Sequence, residues 1–497
     1  MAMLIANFIL QFICRKVFLD HLGDEILGLN STAANLLQFL NIAELGIGVA
    51  VGFSLYRPLF DNDRQRINEI IALQGHLYRR IGTIVTAGAI ILSCFFPLIF
   101  KKMDLPLWYA YASFGVLLIS SLLSYFVNYK EVLLTADQKD YKIMGSYRVC
   151  MMLRLIAQLF AVKYSDHPYL WWLILEGGFA IIAAIALNLV IRHTYPYLQR
   201  PPLSSRELRR MYPEIVTKIK QIFFHKISTF VLQQTSSLII FAFSSLIIVT
   251  YYNNYMVIVT GLTLLLNALF NSIGAGVGNL VAEGDKIRII KVFDELYAVR
   301  FFLSAGAAIM LFILAPHFIS LWIGSKYLLP SSTLFIIVII FFLNASRSSV
   351  DSYINAYGLF QDIWAPITEA CLNLGLSVLL GWLWGLNGIL SGAGISLILI
   401  VFIWKPYFLF RKGLREPVRI YWGIYLRNIA ALVAACMILW ITLPFLPISQ
   451  AADTKDFILL TLEVFAITAI SLYLAQLALT AGMPMFTRRI ASKLLHR

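Results

Sequence analysis

The chain has 497 residues, of which 60% are hydrophobic and only 13% are charged, and its mean hydropathy is +0.79. Soluble proteins have a charged fraction of about 25%, so this composition excludes a soluble globular protein and indicates a polytopic membrane protein. The net charge of +14 comes from basic residues in short loops between apolar runs, as the positive-inside rule predicts. The sequence has no basic domain with interleaved aromatic residues, so it does not indicate nucleic-acid binding.

Apolar runs of about 20 residues, long enough to cross a bilayer, recur along the whole chain. They predict an all-α polytopic membrane protein with about fourteen transmembrane helices. The first run begins at Met1 without a basic flank or a cleavage site, so we expect no cleavable signal peptide and a natural start a few residues upstream. The predicted spans are 1–18, 28–55, 81–100, 108–129, 148–163, 169–191, 222–244, 250–275, 299–322, 331–356, 364–385, 388–410, 421–446 and 456–480.

The second span contains a carboxylate, Glu44, in the stretch NIAELGIGVAVGFSLYRPLFDNDRQR. A charge at the centre of a membrane helix costs about 2.5 to 3.5 kcal/mol, so it needs a partner or contact with water. We interpret Glu44 as part of an aqueous pathway, with a structural ion pair as the alternative. On the same predicted helix, the Gly48-x-x-x-Gly52 spacing would allow another helix to approach closely, although ordinary packing also explains it.

A similar stretch, NSIGAGVGNLVAEGDKIRI, occurs in the second half at 271–289. Its Asp285-Lys286-Ile287-Arg288 echoes Asp63-Arg64-Gln65-Arg66 after the first stretch. Weak internal symmetry of this kind is expected of transporters built from two related bundles. We therefore predict two pseudo-symmetric six-helix lobes and two extra C-terminal helices. The boundaries are 1–191 for the N-terminal lobe, 192–221 for a cytoplasmic linker, 222–410 for the C-terminal lobe, and 411–497 for the extra helices and a basic tail.

The linker contains Pro196, Pro201 and Pro202 and then the segment SSRELRRMYPEIVTKIK. Ser204-x-x-Glu207 is a capping box, which predicts the start of a basic amphipathic helix. Such a helix either lies on anionic lipid at the inner membrane surface or is a solvated connection.

The sequence contains no P-loop, no H-E-x-x-H or G-x-S-x-G motif, and no cysteine spacing suited to zinc. We therefore predict neither an enzyme nor a cofactor or metal site. The remaining candidates are charged and polar groups inside the spans. An arginine stays protonated and its planar fork matches phosphate oxygens, so a cavity with several cations would bind an anion. The candidate substrate-binding residues are Arg15, Glu44, Arg154, Lys226, Gln233, Gln234, Arg347 and Asp351.

Several of these residues have plainer interpretations. Arg347 and Asp351 are one helical turn apart and could simply neutralise each other. Lys226 could reach an interface by snorkelling, and Gln233 and Gln234 could hydrogen-bond a neighbouring helix instead of a sugar.

The segment from Arg15 to Leu59, which includes HLGDEILGLNSTAANLLQFLNIAELGIGVAVGFSLYRPL, resembles the bacterial polysaccharide flippases of the MOP exporter superfamily. So do SIGAGVGNL at 272–280, LWIG at 321–324, AYGLF at 356–360, EACLNLGLS at 369–377 and the glycines 388, 392 and 394. The resemblance covers nearly the whole chain and implies two lobes that close alternately around a cationic cavity. Arg15 is similar to the first-helix arginine of these flippases, and Glu44 stands in the matching ELG segment.

The implied substrate is an undecaprenyl-pyrophosphate-linked oligosaccharide, moved to the outer leaflet of the bacterial inner membrane for O-antigen, capsule or exopolysaccharide assembly. The lipid bilayer, a polysaccharide polymerase and glycosyltransferases are the implied partners, and both termini are expected in the cytoplasm. Coupling to a proton gradient, a sodium gradient or the membrane potential stays open. Some relatives have an acidic residue where this chain has Ser236, so this chain lacks that acidic candidate for ion coupling in the seventh predicted span.

Two other functions are compatible with parts of the sequence. A related drug or cation antiporter would use the carboxylates Glu44, Glu176 and Asp351, but the cations within the spans are at least as numerous. A polymerase or ligase of the outer face would need an extended outer loop, and the predicted outer loops are short.

Overall fold

The computed structural model describes residues 2–44, 46–101, 103–199, 201–270, 273–359, 361–362, 364–442 and 453–495. These residues form helices and turns, with no strand among them, which confirms the predicted all-α fold. The chain divides into two compact units, Met1–Thr250 (unit 1) and Tyr251–Arg497 (unit 2). The division places the seventh predicted span with unit 1, whereas the sequence predicts that it opens the second lobe. The predicted lobe boundaries therefore stay a prediction.

Ten helices in the described part of the chain are long and apolar enough to cross a membrane. One of them, Trp364–Leu414, contains the eleventh and twelfth predicted spans, which are separated by a turn at Gly385 with φ of 57°. The first, second and seventh predicted spans fall on other helices: Ala2–Leu22, the pair Asp24–Leu40 and Ile47–Phe60, and Pro213–Phe243. The chain is a multi-pass membrane protein.

The described residues of unit 1 form twelve helices and the first residues of a thirteenth. They are α1 (Ala2–Leu22), α2 (Asp24–Leu40), α3 (Ile47–Phe60), α4 (Arg64–Cys94), α5 (Phe96–Ile99), α6 (Trp108–Phe126), α7 (Glu131–Ala136), α8 (Asp140–Ile143), α9 (Val149–Tyr164), α10 (Pro168–Thr194), α11 (Ser205–Met211) and α12 (Pro213–Phe243). Short 3₁₀ turns at Asn41–Glu44 and Asn128–Lys130 follow α2 and α6, and a π-helical turn, Met144–Arg148, joins α8 to α9.

Unit 2 contains most of α13 and the remaining helices. They are α13 (Leu246–Phe270), α14 (Ile273–Glu283), α15 (Lys286–Trp322), α16 (Ser331–Ser346), α17 (Ser348–Ala356), α18 (Trp364–Ser396), α19 (Lys405–Phe408), α20 (Arg419–Thr442), α21 (Thr454–Leu479) and α22 (Gly482–Leu495). A 3₁₀ turn at Ser325–Tyr327 and π-helical turns at Leu397–Trp404 and Leu409–Leu414 connect them. An aromatic cluster that includes Phe293, Tyr297, Tyr353, Phe410 and Tyr421 forms much of the unit 2 core.

The two aspartates of the repeated charged motif have the same structural role. Asp63 is the N-cap of α4, and its Oδ1 accepts a hydrogen bond from the Arg66 backbone at 3.0 Å. Asp285 caps α15, and its Oδ1 accepts from the Ile287 and Arg288 backbone at 3.1 and 3.2 Å. Both side chains satisfy amides that the first turn of a helix leaves without partners. The repeated sequence motif therefore has the same local structure in both places.

The second predicted span is not one continuous helix. The chain leaves α2 at Leu40, forms the 3₁₀ turn that contains Glu44, and enters α3 after Gly46, whose φ is +99°. A positive φ is easily adopted by glycine and strained in other residues, so Gly46 permits the interruption. Glu44 thus lies on a turn between two helices, and the expectation that it shares one helix with Gly48 and Gly52 is wrong.

The expected close approach at Gly48 and Gly52 is also not observed. A Cβ atom at these positions would lie 3.4 Å from the Tyr78 hydroxyl and 3.5 Å from a Val132 methyl group, which are ordinary contacts with side chains. The close backbone approach occurs at Gly28 of α2, where a Cβ would lie 2.2 Å from the Leu246 carbonyl oxygen. Small residues at such crossings allow membrane helices to pack tightly.

The linker contains the short helix α11, which begins at Ser205. The predicted capping box is present: Ser204 Oγ accepts from the Glu207 backbone at 3.3 Å, and Glu207 accepts from the Ser204 backbone at 2.7 Å. These hydrogen bonds lower the pKa of the Glu207 carboxyl group. The helix that follows is only seven residues long, because Pro213 restricts the residue before it and Tyr212 leaves the helical region. The longer predicted amphipathic helix is therefore divided between α11 and α12.

Tyr212 attaches the end of α11 to a buried carboxylate of α4. Its hydroxyl donates to Glu69 Oε2 at 2.5 Å, and Gln65 Nε2 donates to Glu69 Oε1 at 3.0 Å. Burial, and then the contact with Glu69, raises the pKa of Tyr212, so the phenol remains the hydrogen-bond donor.

We expect Tyr212→Phe to lower the free energy of unfolding by about 1 to 3 kcal/mol, because Glu69 loses a donor while it stays buried. Thermal unfolding of the purified protein, followed by tryptophan fluorescence, measures the change. Tyr164→Phe is the matched control, since Tyr164 is exposed and its substitution should have no effect. Equal melting temperatures for all three proteins would show that the contact does not stabilise the linker.

Candidate functional site

Arg15 lies on α1 and is half-buried. Its Nη2 atom donates a long hydrogen bond, 3.5 Å, to the carbonyl oxygen of Thr250 at the start of α13. The Thr250 hydroxyl in turn donates to the Asp24 carbonyl at 2.7 Å. A hydrogen bond of 3.5 Å is weak.

Glu44 accepts a hydrogen bond of 2.9 Å from the hydroxyl of Tyr78 on α4. Its partner is thus a neutral phenol, and the structure shows no ion pair of Glu44 among the described residues. Tyr78 packs against Tyr125 and Tyr129, with ring centroids 5.8 and 6.5 Å away. Glu44 therefore lies beside an aromatic cluster of unit 1.

Arg154 on α9 forms an ion pair with Glu176 on α10. Glu176 is buried, and its second oxygen accepts from Gln158 Nε2 at 2.9 Å. Gln158 also donates to the Trp172 carbonyl at 3.3 Å. In this conformation Arg154 is neutralised by a carboxylate. Its part in substrate binding stays a prediction.

Arg347 and Asp351 form the ion pair that their spacing predicts, with Nε 2.8 Å from Oδ2. Arg347 is the residue between α16 and α17, so the pair lies at a helix boundary of unit 2. Glu369 of α18 is buried near it. The Arg347 cation is thus held by an acidic partner in this conformation.

Three predicted residues, Lys226, Gln233 and Gln234, have side chains outside the described part of the structure, although their backbone belongs to α12. The structure groups the other candidates by unit. Arg15, Glu44 and Arg154 belong to unit 1, and Arg347 with Asp351 belongs to unit 2.

Sequence reasoning missed Arg300, which is the largest fully buried side chain of the described residues. It lies on α15, where Nε donates to the Ala345 carbonyl at 2.7 Å, Nη1 to the Leu266 carbonyl at 3.1 Å, and Nη2 to Asn267 Oδ1 at 3.1 Å. Its position one residue inside the ninth predicted span made it resemble an interfacial residue. Lys405 and Asp362, which pair at 2.8 Å, were also not predicted.

No protein-family model matches the chain, and no curated protein matches it. The solved structures do give matches. "Lipid II flippase MurJ, inward closed conformation" has a TM-score of 0.64 at 14% identity, and the alignment covers 95% of this chain and 97% of that one. An "Inward-facing conformation of a multidrug resistance MATE family transporter of the MOP superfamily" has a TM-score of 0.59 at 13% identity and covers 82% of this chain and 95% of that one.

The chain has the fold of the MOP superfamily transporters. The predicted resemblance is confirmed at this level, because both structures belong to that superfamily. Each unit also contains a long helix that an aspartate caps, α4 in unit 1 and α15 in unit 2.

Proposed function

We propose that the chain is a flippase that moves undecaprenyl-pyrophosphate-linked oligosaccharide repeat units from the cytoplasmic to the outer leaflet of a bacterial inner membrane. Full-length agreement with a flippase supports this proposal most directly. The lipid II flippase aligns with 95% of this chain, whereas the drug transporter leaves a larger part unmatched and aligns with 82%. Surface polysaccharide assembly, with a polymerase and glycosyltransferases as partners, is the process that such a substrate serves.

The energetics of a diphosphate substrate agree with outward movement. In the proposed orientation both termini lie in the cytoplasm. The inside-negative potential favours export of an anion by about 2.3 kcal/mol per charge per 100 mV. In the proposed site Arg15 would bind the diphosphate, and Gln233 and Gln234, whose positions belong to α12, would hydrogen-bond sugar hydroxyls.

The test is mass spectrometry of lipid-linked oligosaccharides in cells from which the gene is deleted, with sidedness determined by an impermeant glycosidase. Accumulation of a species protected from the glycosidase would support the proposal and give the mass of the substrate. Normal surface polysaccharide without accumulation would contradict it. In that case, changed sensitivity to cationic dyes would favour the drug antiporter.

We expect Arg15→Ala to slow transport by at least about tenfold, because a hydrogen bond to a charged group contributes about 1.5 to 3 kcal/mol. Lys16→Ala is the matched control, since it removes the same charge one residue away from an exposed side chain. Flipping of a lipid-linked oligosaccharide in proteoliposomes, at equal protein amounts, measures both rates. Equal rates for Arg15→Ala, Lys16→Ala and the wild type would contradict a role of Arg15 in binding.

A further inference from the structure

Tyr78 and Arg300 occupy the same place in the two repeats. Each lies fifteen residues after the aspartate that caps its helix, Asp63 for α4 and Asp285 for α15. Both side chains are buried, with exposed fractions of 5% and 2%. Two large polar side chains at equivalent buried positions indicate a shared role, although one is a neutral phenol and the other a cation.

In unit 1, Tyr78 contacts two interrupted helices. Its hydroxyl donates to Glu44 on the 3₁₀ turn between α2 and α3. Its ring packs on Tyr125 and Tyr129, which flank the point where α6 ends and the next 3₁₀ turn begins. The α4 backbone lies close to this second break, because a Cβ at Gly75 would come within 2.9 Å of the Tyr129 ring. One side chain therefore joins two helix interruptions.

In unit 2, Arg300 makes the corresponding contacts with backbone atoms. It donates to the Leu266 carbonyl and the Asn267 side chain near the end of α13, and its guanidinium lies 4.6 Å from the Phe270 ring centroid. It also donates to the Ala345 carbonyl, which is among the last carbonyls of α16, next to the boundary with α17. A single guanidinium thus joins α13 to the last turn of α16.

The charge of Arg300 has a physical explanation in this arrangement. Salt bridges in the described part of unit 2 involve other residues, so Arg300 is stabilised here by carbonyl and amide oxygens. The C-terminal end of a helix has a partial charge of about −0.5, and the end of α16 lies against this side chain. The planar guanidinium can bond α13 and α16 at once, which a lysine ammonium cannot do with the same geometry.

We propose that Tyr78 and Arg300 are pivot residues. Tyr78 couples the bending at the α2–α3 and α6–α7 interruptions of unit 1, and Arg300 couples movement of α13 to bending at the α16–α17 boundary of unit 2. Small interruptions allow membrane helices to bend, and a side chain bonded to two of them makes their movements dependent on each other. The inference rests on the proposed function: during transport, the coupling makes the helices of one unit rearrange together. Both residues act through other parts of the protein and are positioning residues.

The first test measures movement within unit 2 and does not depend on the substrate. Spin labels at Ile287 on α15 and Asn355 on α17, both exposed, are introduced after replacement of the five native cysteines. We expect Arg300→Gln to broaden the distribution of distances between the labels and Arg300→Lys to broaden it less. Arg419→Gln, which removes an exposed cation of the same unit, should leave it unchanged. A distribution in folded Arg300→Gln as narrow as in the wild type would overturn the proposal for Arg300.

The second test uses Tyr78→Phe, which removes only the hydroxyl and keeps the ring contacts. We expect this variant to fold normally and to transport about tenfold more slowly, because the bond to Glu44 is lost. Normal transport by folded Tyr78→Phe would overturn the pivot role of Tyr78. If the wild type itself does not move a lipid-linked oligosaccharide, the proposed function fails, and the spin-label distances still decide whether Arg300 is a pivot.

Discussion

Arg154→Ala is expected to destabilise the protein by about 3 to 5 kcal/mol, because it leaves a buried carboxylate without its cation. Glu176 is buried in α10, and only the hydrogen bond from Gln158 would remain to it. A cationic substrate cavity, as the sequence resemblance implies, would predict that this substitution stops transport without harm to folding. The ion pair leads us to expect a loss of folded protein first. Unfolding by denaturing detergent in mixed micelles measures the difference.

Two further variants separate the charge from the packing. Replacing both partners, as Arg154→Met with Glu176→Leu, should recover most of the lost stability, since buried ion pairs are often replaced by apolar groups without net cost. Arg57→Ala is the control, because its pair with Asp61 is exposed and should contribute about 1 kcal/mol or less. If Arg154→Ala unfolds like the wild type but does not transport, Arg154 belongs to the substrate site instead.

The membrane spans could be predicted from the sequence because hydropathy depends only on which residues are apolar over a sufficient length. The interruption at Gly46 could not be predicted in this way, because glycines are common in continuous membrane helices as well. Only its φ of +99° shows that the helix ends there. The same limit applies to Gly385, where a turn divides α18 between two predicted spans.

A polar contact could be predicted from the sequence when its two residues lie close together in the chain. Arg347 and Asp351 are one turn apart on a helix, so their pairing follows from spacing. Arg154 and Glu176 lie on different helices, and their pairing depends on how α9 packs against α10. Arg300 bonds mainly to backbone carbonyls, which every residue possesses, so no pattern of side chains could identify its partners.

Gly388→Ala is expected to disrupt α18 strongly, because the chain folds back on itself at Gly385. A Cβ at Gly388 would lie 1.9 Å from the Leu380 carbonyl oxygen, and one at Gly392 would lie 2.4 Å from the Ser377 nitrogen. These atoms belong to the backbone of the facing arm, so a rotamer change cannot relieve the overlap. The arms are also joined where Ser377 Oγ donates to the Ile389 carbonyl at 2.9 Å.

We expect Gly388→Ala to lower the free energy of unfolding by about 3 kcal/mol or more, at the upper end of the cost of overpacking. Gly375→Ala is the matched control: it lies on the same helix, and a Cβ there has no atom within 4 Å. Because alanine favours helix over glycine by about 1 kcal/mol, this control should be neutral or slightly stabilising. Detergent-induced unfolding compares the two variants with the wild type. Equal stability of Gly388→Ala and Gly375→Ala would mean that the arms of α18 are farther apart than this structure shows, whereas a loss confined to Gly388→Ala would establish their contact.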